Sequence, residues 1–314
     1  MTTYTQRQMS QLSETKKLLL RKLLADQNIG GDRLLSLEAS SLKMLRSGSP
    51  ALFIYPATEG SVSYMCNYLP YIPSSFGVYG CQTPGLDGEQ RPYRTVAEIA
   101  AHTIRQIRRI APKGPYYIAG NCMGGLPAYE TARRLEAMGE EVALVLHLMP
   151  IFNRPWREMP GVNALQLRGF VDYTLILERL LGVKMNLPFD KLAELDEDAQ
   201  IDFVVRYIRD GKWLSELDLE VFRKRIEVYK ANLEAMLGYA SKGDFRGTLK
   251  MIAVGESARG EAEIHIESPY AAVLRMMPRG RIELEHVDAE GGALFDGAEP
   301  HMTKIGAAMQ RMFA

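Results

Sequence analysis

Cysteine is scarce in this chain, with only Cys66, Cys81 and Cys122 among 314 residues. The count is odd and no CxxC spacing occurs, which excludes a disulfide framework and gives no zinc-ligand pattern. A reducing, cytoplasmic home is expected. An excess of charge of one sign is also missing, since Lys+Arg and Asp+Glu are both 38. That argues against nucleic acid and anionic membrane surfaces, both of which attract a basic excess. No run of 18 apolar residues occurs, and the opening MTTYTQRQMSQLSETKK holds no apolar leader segment. Neither a membrane span nor an export signal is therefore expected. Internal repeats and low-complexity stretches are absent too.

What is present is enough apolar material, 46% of residues, for a sizeable core. Residues Leu12–Asp26 read as a short amphipathic helix on a leucine face, followed by a polar, Gly-containing linker. From there strands and helices alternate. Ala51–Tyr55, Phe76–Gly80, Tyr116–Ala119 and Val142–Met149 read as strands, with Val96–Ile110 and Gly124–Met138 as helices. Such alternation implies a parallel sheet covered on both faces. Roughly 155–239 then carries only helical periods, in Leu165–Leu181, Glu197–Trp213 and Asp218–Gly238. Strands return at Leu249–Val254 and Arg281–Val287, and a helix closes at Pro300–Met312. The expected organisation is an N-terminal helix and linker (1–47), a core (48–150 and 245–314) and a helical lid insertion (151–244). A separate helical domain is the alternative for that last segment.

The chemistry centres on Pro115–Gly125, PYYIAGNCMGG. Gly120-Asn121-Cys122-Met123-Gly124 matches G-x-S-x-G with cysteine in place of serine, between an apolar strand and an Ala/Leu-rich helix. Glycines flank such a turn because side chains there would strike the neighbouring strand and helix. The turn puts Cys122 at a helix N-terminus, which favours thiolate, and offers the Met123 N–H as an oxyanion donor. The fold expected is an α/β-hydrolase-type, mostly parallel sheet with helices on both faces and a helical lid insertion. Cys66 and Cys81 lack this context and read as structural.

From about residue 48 onward the sequence resembles the thioesterase domains of nonribosomal peptide and polyketide synthases. The resemblance rests on ALFIYPATEGSVSYMCNYLP, VYGCQTPGLDG, the elbow with its following helix and strand, and YKANLEAMLGYASKGDFRGTLKMIAVGES. It implies acyl substrates carried on the phosphopantetheine arm of a carrier protein, with no bound cofactor or metal. It also implies a second oxyanion donor within Pro56-Ala57-Thr58. Two positions depart from the family. Where an aspartate follows the strand after the elbow helix, this chain has Met149. Where a histidine stands near the C-terminus, it has Gly291. Glu256 is an alternative acid, after the next strand. Glu59 in the oxyanion loop, His286, His301, His147 and Glu290 are the candidate replacement bases; His102 and His265 have no such context.

Serine without a base is inert, whereas a cysteine is intrinsically nucleophilic and has a free pKa of about 8.5. Thiol–thioester exchange onto Cys122 is then expected without a triad, while deacylation by water lacks a base worth roughly 10²–10⁴-fold. The expected activity is capture of an acyl or aminoacyl group from a carrier-protein thioester, released by transfer or cyclisation. A catalytically degenerate carrier-binding protein and a hydrolytic editing thioesterase with a relocated base are the competing readings. Oligomeric state is not legible.

Overall fold

A computed structural model describes residues 41–86, 90–149, 165–214, 217–255 and 281–313. The N-terminal helix expected at Leu12–Asp26, together with Glu256 and His265, lies outside them. Seven strands form one sheet: β1 (Leu42–Arg46), β2 (Ala51–Tyr55), β3 (Gly77–Cys81), β4 (Tyr116–Asn121), β5 (Val142–Leu148), β6 (Thr248–Val254) and β7 (Arg281–Val287). Their order is β1-β3-β2-β4-β5-β6-β7. β1 runs antiparallel to β3 and every other neighbouring pair is parallel.

Central strands covered on both faces must be apolar along their whole length, which is why ALFIY and VALVLHL read so clearly. Phe53, Ile118, Leu146 and Ile252 are essentially without solvent contact. The expected linker is corrected at Leu42–Arg46, which pairs with β3 as an edge strand. An edge needs little apolar length, and this one is anchored instead by Arg46, which donates to the Phe76, Leu69 and Pro73 carbonyls.

The helices are α1 (Val96–Ile110), α2 (Gly125–Ala137), α3 (Leu165–Leu181), α4 (Phe189–Ala193), α5 (Glu197–Asp210), α6 (Leu219–Leu237), α7 (Ala293–Asp296) and α8 (His301–Met312). Three begin with the side-chain caps that helix starts require. The Thr95 hydroxyl accepts from the Glu98 N–H and donates to its carboxylate, and Asp196 and Asp218 cap α5 and α6. Helices α3 to α6 fall between β5 and β6, which are neighbours in the sheet. The helical block is thus inserted at a point where the sheet itself is uninterrupted. Helices α3 and α6 pack through Phe170 on Phe222 and Tyr173 against Tyr229. No helix among the described residues is long and apolar enough to cross a membrane.

Candidate active site

β4 ends at Asn121 and α2 starts at Gly125, so the turn between them has three residues. Cys122 takes φ 55°, a left-handed conformation that costs a non-glycine residue of order 1–3 kcal/mol. The two flanking glycines make the turn possible. A Cβ on Gly120 would collide with the Gly124 carbonyl, and one on Gly124 with the Pro56 and Tyr55 carbonyls. From below, His147 on β5 braces the turn. Its Nε2 meets the Cys122 carbonyl at 2.6 Å, and because that oxygen only accepts, Nε2 carries the proton.

Cys122 opens onto a cavity of about 740 Å³ between the sheet edge and α3 and α6. Met149, Asp172, Arg179, Tyr229 and Phe295 share its wall with Ala57, Thr58 and Glu59. The Met123 N–H and the Thr58 hydroxyl reach the Cys122 sulfur and pull its pKa down. Burial outweighs them and pushes the thiol up to about 12, with the negative charges of Glu59 and Asp172 adding to the rise. Against the thiolate expected at a helix N-terminus, desolvation and the carboxylates of Glu59 and Asp172 act in the opposite direction.

The oxyanion loop is tied down differently from expectation. The Ala57 N–H donates to the Tyr64 hydroxyl at 2.9 Å, so it is not a free oxyanion donor. Asn121 Nδ2 donates to the same oxygen at 3.0 Å. With both lone pairs engaged, the Tyr64 proton is left to face Glu59. Thr58 remains on the cavity wall, its carbonyl held by Asn232 of α6 at 2.8 Å. Glu59 is buried, and its Oε1 has no partner among the described residues. Burial raises its pKa to about 8, Asp172 adds to the rise, and Arg225 and Tyr64 oppose it.

Met149 and Gly291, the two positions expected to depart from the family pattern, meet each other. A Cβ on Gly291 would run into the Met149 sulfur. The thioether fills the space that a side chain at 291 would use. The adjacent Gly292 makes the same allowance for Arg179 of α3, whose guanidinium lies where a Cβ would stand. Arg179 Nε donates to Asp296 at 2.7 Å and Nη1 to Glu290 at 2.9 Å.

The thioesterase domain family covers residues 50–207, half of the chain. This chain belongs to the thioesterase domain family. A dimodular nonribosomal peptide synthase of Bacillus subtilis (strain 168) is 30% identical over 210 residues, 64% of this chain and 8% of that protein. A non-reducing polyketide synthase of Pseudevernia furfuracea is 33% identical over 162 residues, 50% of this chain and again 8% of that protein. The thioesterase domain therefore spans under a tenth of the length of these relatives, which are multidomain synthases. Its fold recurs in a four-domain nonribosomal peptide synthetase bound to AMP and glycine, with TM-score 0.68 and 21% identity over 87% of this chain and 20% of that one. It recurs also in the NocB thioesterase domain in covalent complex with a fluorophosphonate nocardicin G analogue. There the TM-score is 0.55 and the identity 19%, over 85% and 95% of the two chains.

Among the described residues of this thioesterase domain, no histidine lines the cavity onto which Cys122 opens. His286 sits on the edge strand β7, and His301 starts α8, where its Nδ1 accepts from the Glu290 N–H. Neither lines the cavity. Glu290 is exposed and is held ionised by Arg179, which lowers its pKa and weakens it as a base. Cys81 is buried, and burial raises its thiol far above the usual range. Asp172, Arg179, Tyr64 and Asn232 carried no local motif. Only Asn232 left a trace, as an asparagine on the apolar face Tyr229–Leu233–Met236.

His147 sets a pH dependence of stability. Burial lowers its pKa from 6.5 to about 4, so between those values the unfolded chain binds the extra proton. Stability is then full above pH 6.5 and falls as the pH drops towards 4, by about 3 kcal/mol in all. Urea unfolding of wild type and His147→Gln across pH 4–7 should show this component only in the wild type. Parallel pH profiles would remove His147 as its source.

Proposed function

We propose that this domain takes an acyl or aminoacyl group from the phosphopantetheine thioester of a carrier protein onto Cys122, and releases it by transfer or cyclisation rather than to water. The observation that carries this reading is Met149 lying against Gly291, beside a cysteine elbow that keeps its strained turn. The elbow offers a cysteine, while the contact between Met149 and Gly291 offers neither an acid nor a base to activate water.

In the loading step the Cys122 sulfur bonds to the thioester carbonyl carbon, and its proton passes to ionised Glu59. The Met123 N–H and Thr58 stabilise the oxyanion. The bond to the pantetheine sulfur then breaks, and Glu59 returns the proton to that leaving thiolate. One thioester replaces another, so the step is close to energetically neutral. Moving the proton from sulfur to Glu59 also leaves the local charge unchanged, so the repulsion that lifts the thiol to about 12 in the empty site is not added to. The second half runs the same steps with an acceptor thiol, amine or hydroxyl. A carrier protein is the partner this chemistry requires.

Intact-mass spectrometry after mixing with acyl-loaded carrier protein should show an acyl adduct on wild type and none on Cys122→Ala. Loading should speed up as pH rises through about 8, where Glu59 ionises against burial and the charge of Asp172, helped by Arg225 and Tyr64. Glu59→Gln should remove that step and slow loading about 10²-fold or more. Full loading by Cys122→Ala would end the proposal. The raised thiol pKa favours the degenerate carrier-binding reading, for which neither protein would gain mass.

A further inference from the structure

The cavity wall carries four carboxylates, from Glu59, Asp172, Glu178 and Asp296. Two are committed elsewhere. Glu178 accepts from the Met185 N–H at 2.6 Å and pairs with Lys184, and Asp296 is bound by Arg179. The other two bear on the nucleophile. Glu59 has its unpartnered, buried Oε1 in this wall. Asp172 reaches in from the lid helix α3, held by the Tyr229 hydroxyl and, at 3.0 Å, by Arg168. Its side chain keeps 27% exposure, and a carboxylate has about four acceptor sites, so two donors leave it room for a ligand. The cations on the wall are themselves paired, Arg179 with Asp296 and Glu290, and Lys184 with Glu178.

We infer that the acyl group this site selects carries a protonated amine close to the thioester carbonyl, received between Asp172 and Glu59. The inference rests on the acyl-Cys122 reading above and names the substrate class within it. Its physical sense lies in the cost these carboxylates impose when the site is empty, for each makes the Cys122 thiol harder to ionise. A substrate cation reverses that sign. Placed beside both carboxylates, it neutralises the field that holds the proton on sulfur, so a charged substrate activates the nucleophile that attacks it. An uncharged acyl group of the same shape does not.

Alanyl and isobutyryl thioesters of pantetheine test this, because they differ by an ammonium in place of a methyl group. Loading onto Cys122 is followed by intact mass, and each rate is divided by the rate of the same thioester with N-acetylcysteine, which removes the inductive effect of the ammonium. The normalised alanyl rate should exceed the isobutyryl rate at least tenfold. Asp172→Asn should collapse that ratio and Asp172→Glu retain most of it. Equal normalised rates in the wild type would overturn the inference without needing any variant to fold, as would a ratio that survives Asp172→Asn. Absence of an adduct from both thioesters would instead remove the parent reading, and this inference with it.

Discussion

Gly291→His combined with Met149→Asp should raise hydrolysis of the acyl enzyme relative to transfer by about 10²-fold or more, the worth of a positioned general base. The two changes are needed together. Alone, Gly291→His drives its Cβ into the Met149 sulfur, and overpacking of this kind costs roughly 1–3 kcal/mol. The single variant should therefore melt lower than wild type and gain little hydrolysis. Met149→Asp shortens the side chain, vacates the collision and supplies the carboxylate that orients an imidazole. The comparison is free acid against transferred product from one carrier-bound substrate, for wild type, both single variants and the pair. Rapid hydrolysis by the wild type would show that a resident group, such as Glu59 on the cavity wall, already activates water.

Cys122→Ser should reduce acyl loading by about 10³-fold or more. A hydroxyl is hardly ionised at neutral pH, and serine in such an elbow depends on an adjacent base that Met149 and Gly291 do not supply. Glu59, itself raised to about 8, suits a thiol far better than an alcohol. The exchange is close in volume, so the melting temperature should stay near that of wild type and the loss should read as chemistry. Introducing Gly291→His and Met149→Asp into the serine variant should recover part of the loading, as a serine triad would. Undiminished loading by Cys122→Ser alone would mean that an unrecognised base serves position 122.

Much of this arrangement was legible along the chain because its signals are local. Apolar runs marked the central strands, since strands buried on both faces tolerate few interruptions. Glycine spacing marked the elbow, since a turn that tight excludes Cβ atoms on either side of Cys122. The closeness of Met149 to Gly291, two residues far apart in sequence, was not readable in this way. The edge strand Leu42–Arg46 was hidden because one guanidinium and a neighbour's backbone hold it, rather than an apolar pattern.

By itself the sequence determined the class of fold, the insertion between β5 and β6 and the glycine-flanked elbow that carries Cys122. Only the tertiary structure decided what surrounds the Cys122 thiol. Helix-end partial charge is a property of local backbone, but desolvation by the inserted helices and the fields of Glu59 and Asp172 come from elements far apart in the chain. The same holds for Ala57, whose N–H is claimed by Tyr64, and for His147, which turns its ring under the elbow instead of into the cavity. It holds again for Arg179, which meets a carboxylate 111 residues away over a pair of glycines. A spacing rule records which residues a turn permits. It does not record which distant side chain will fill the space that a glycine leaves.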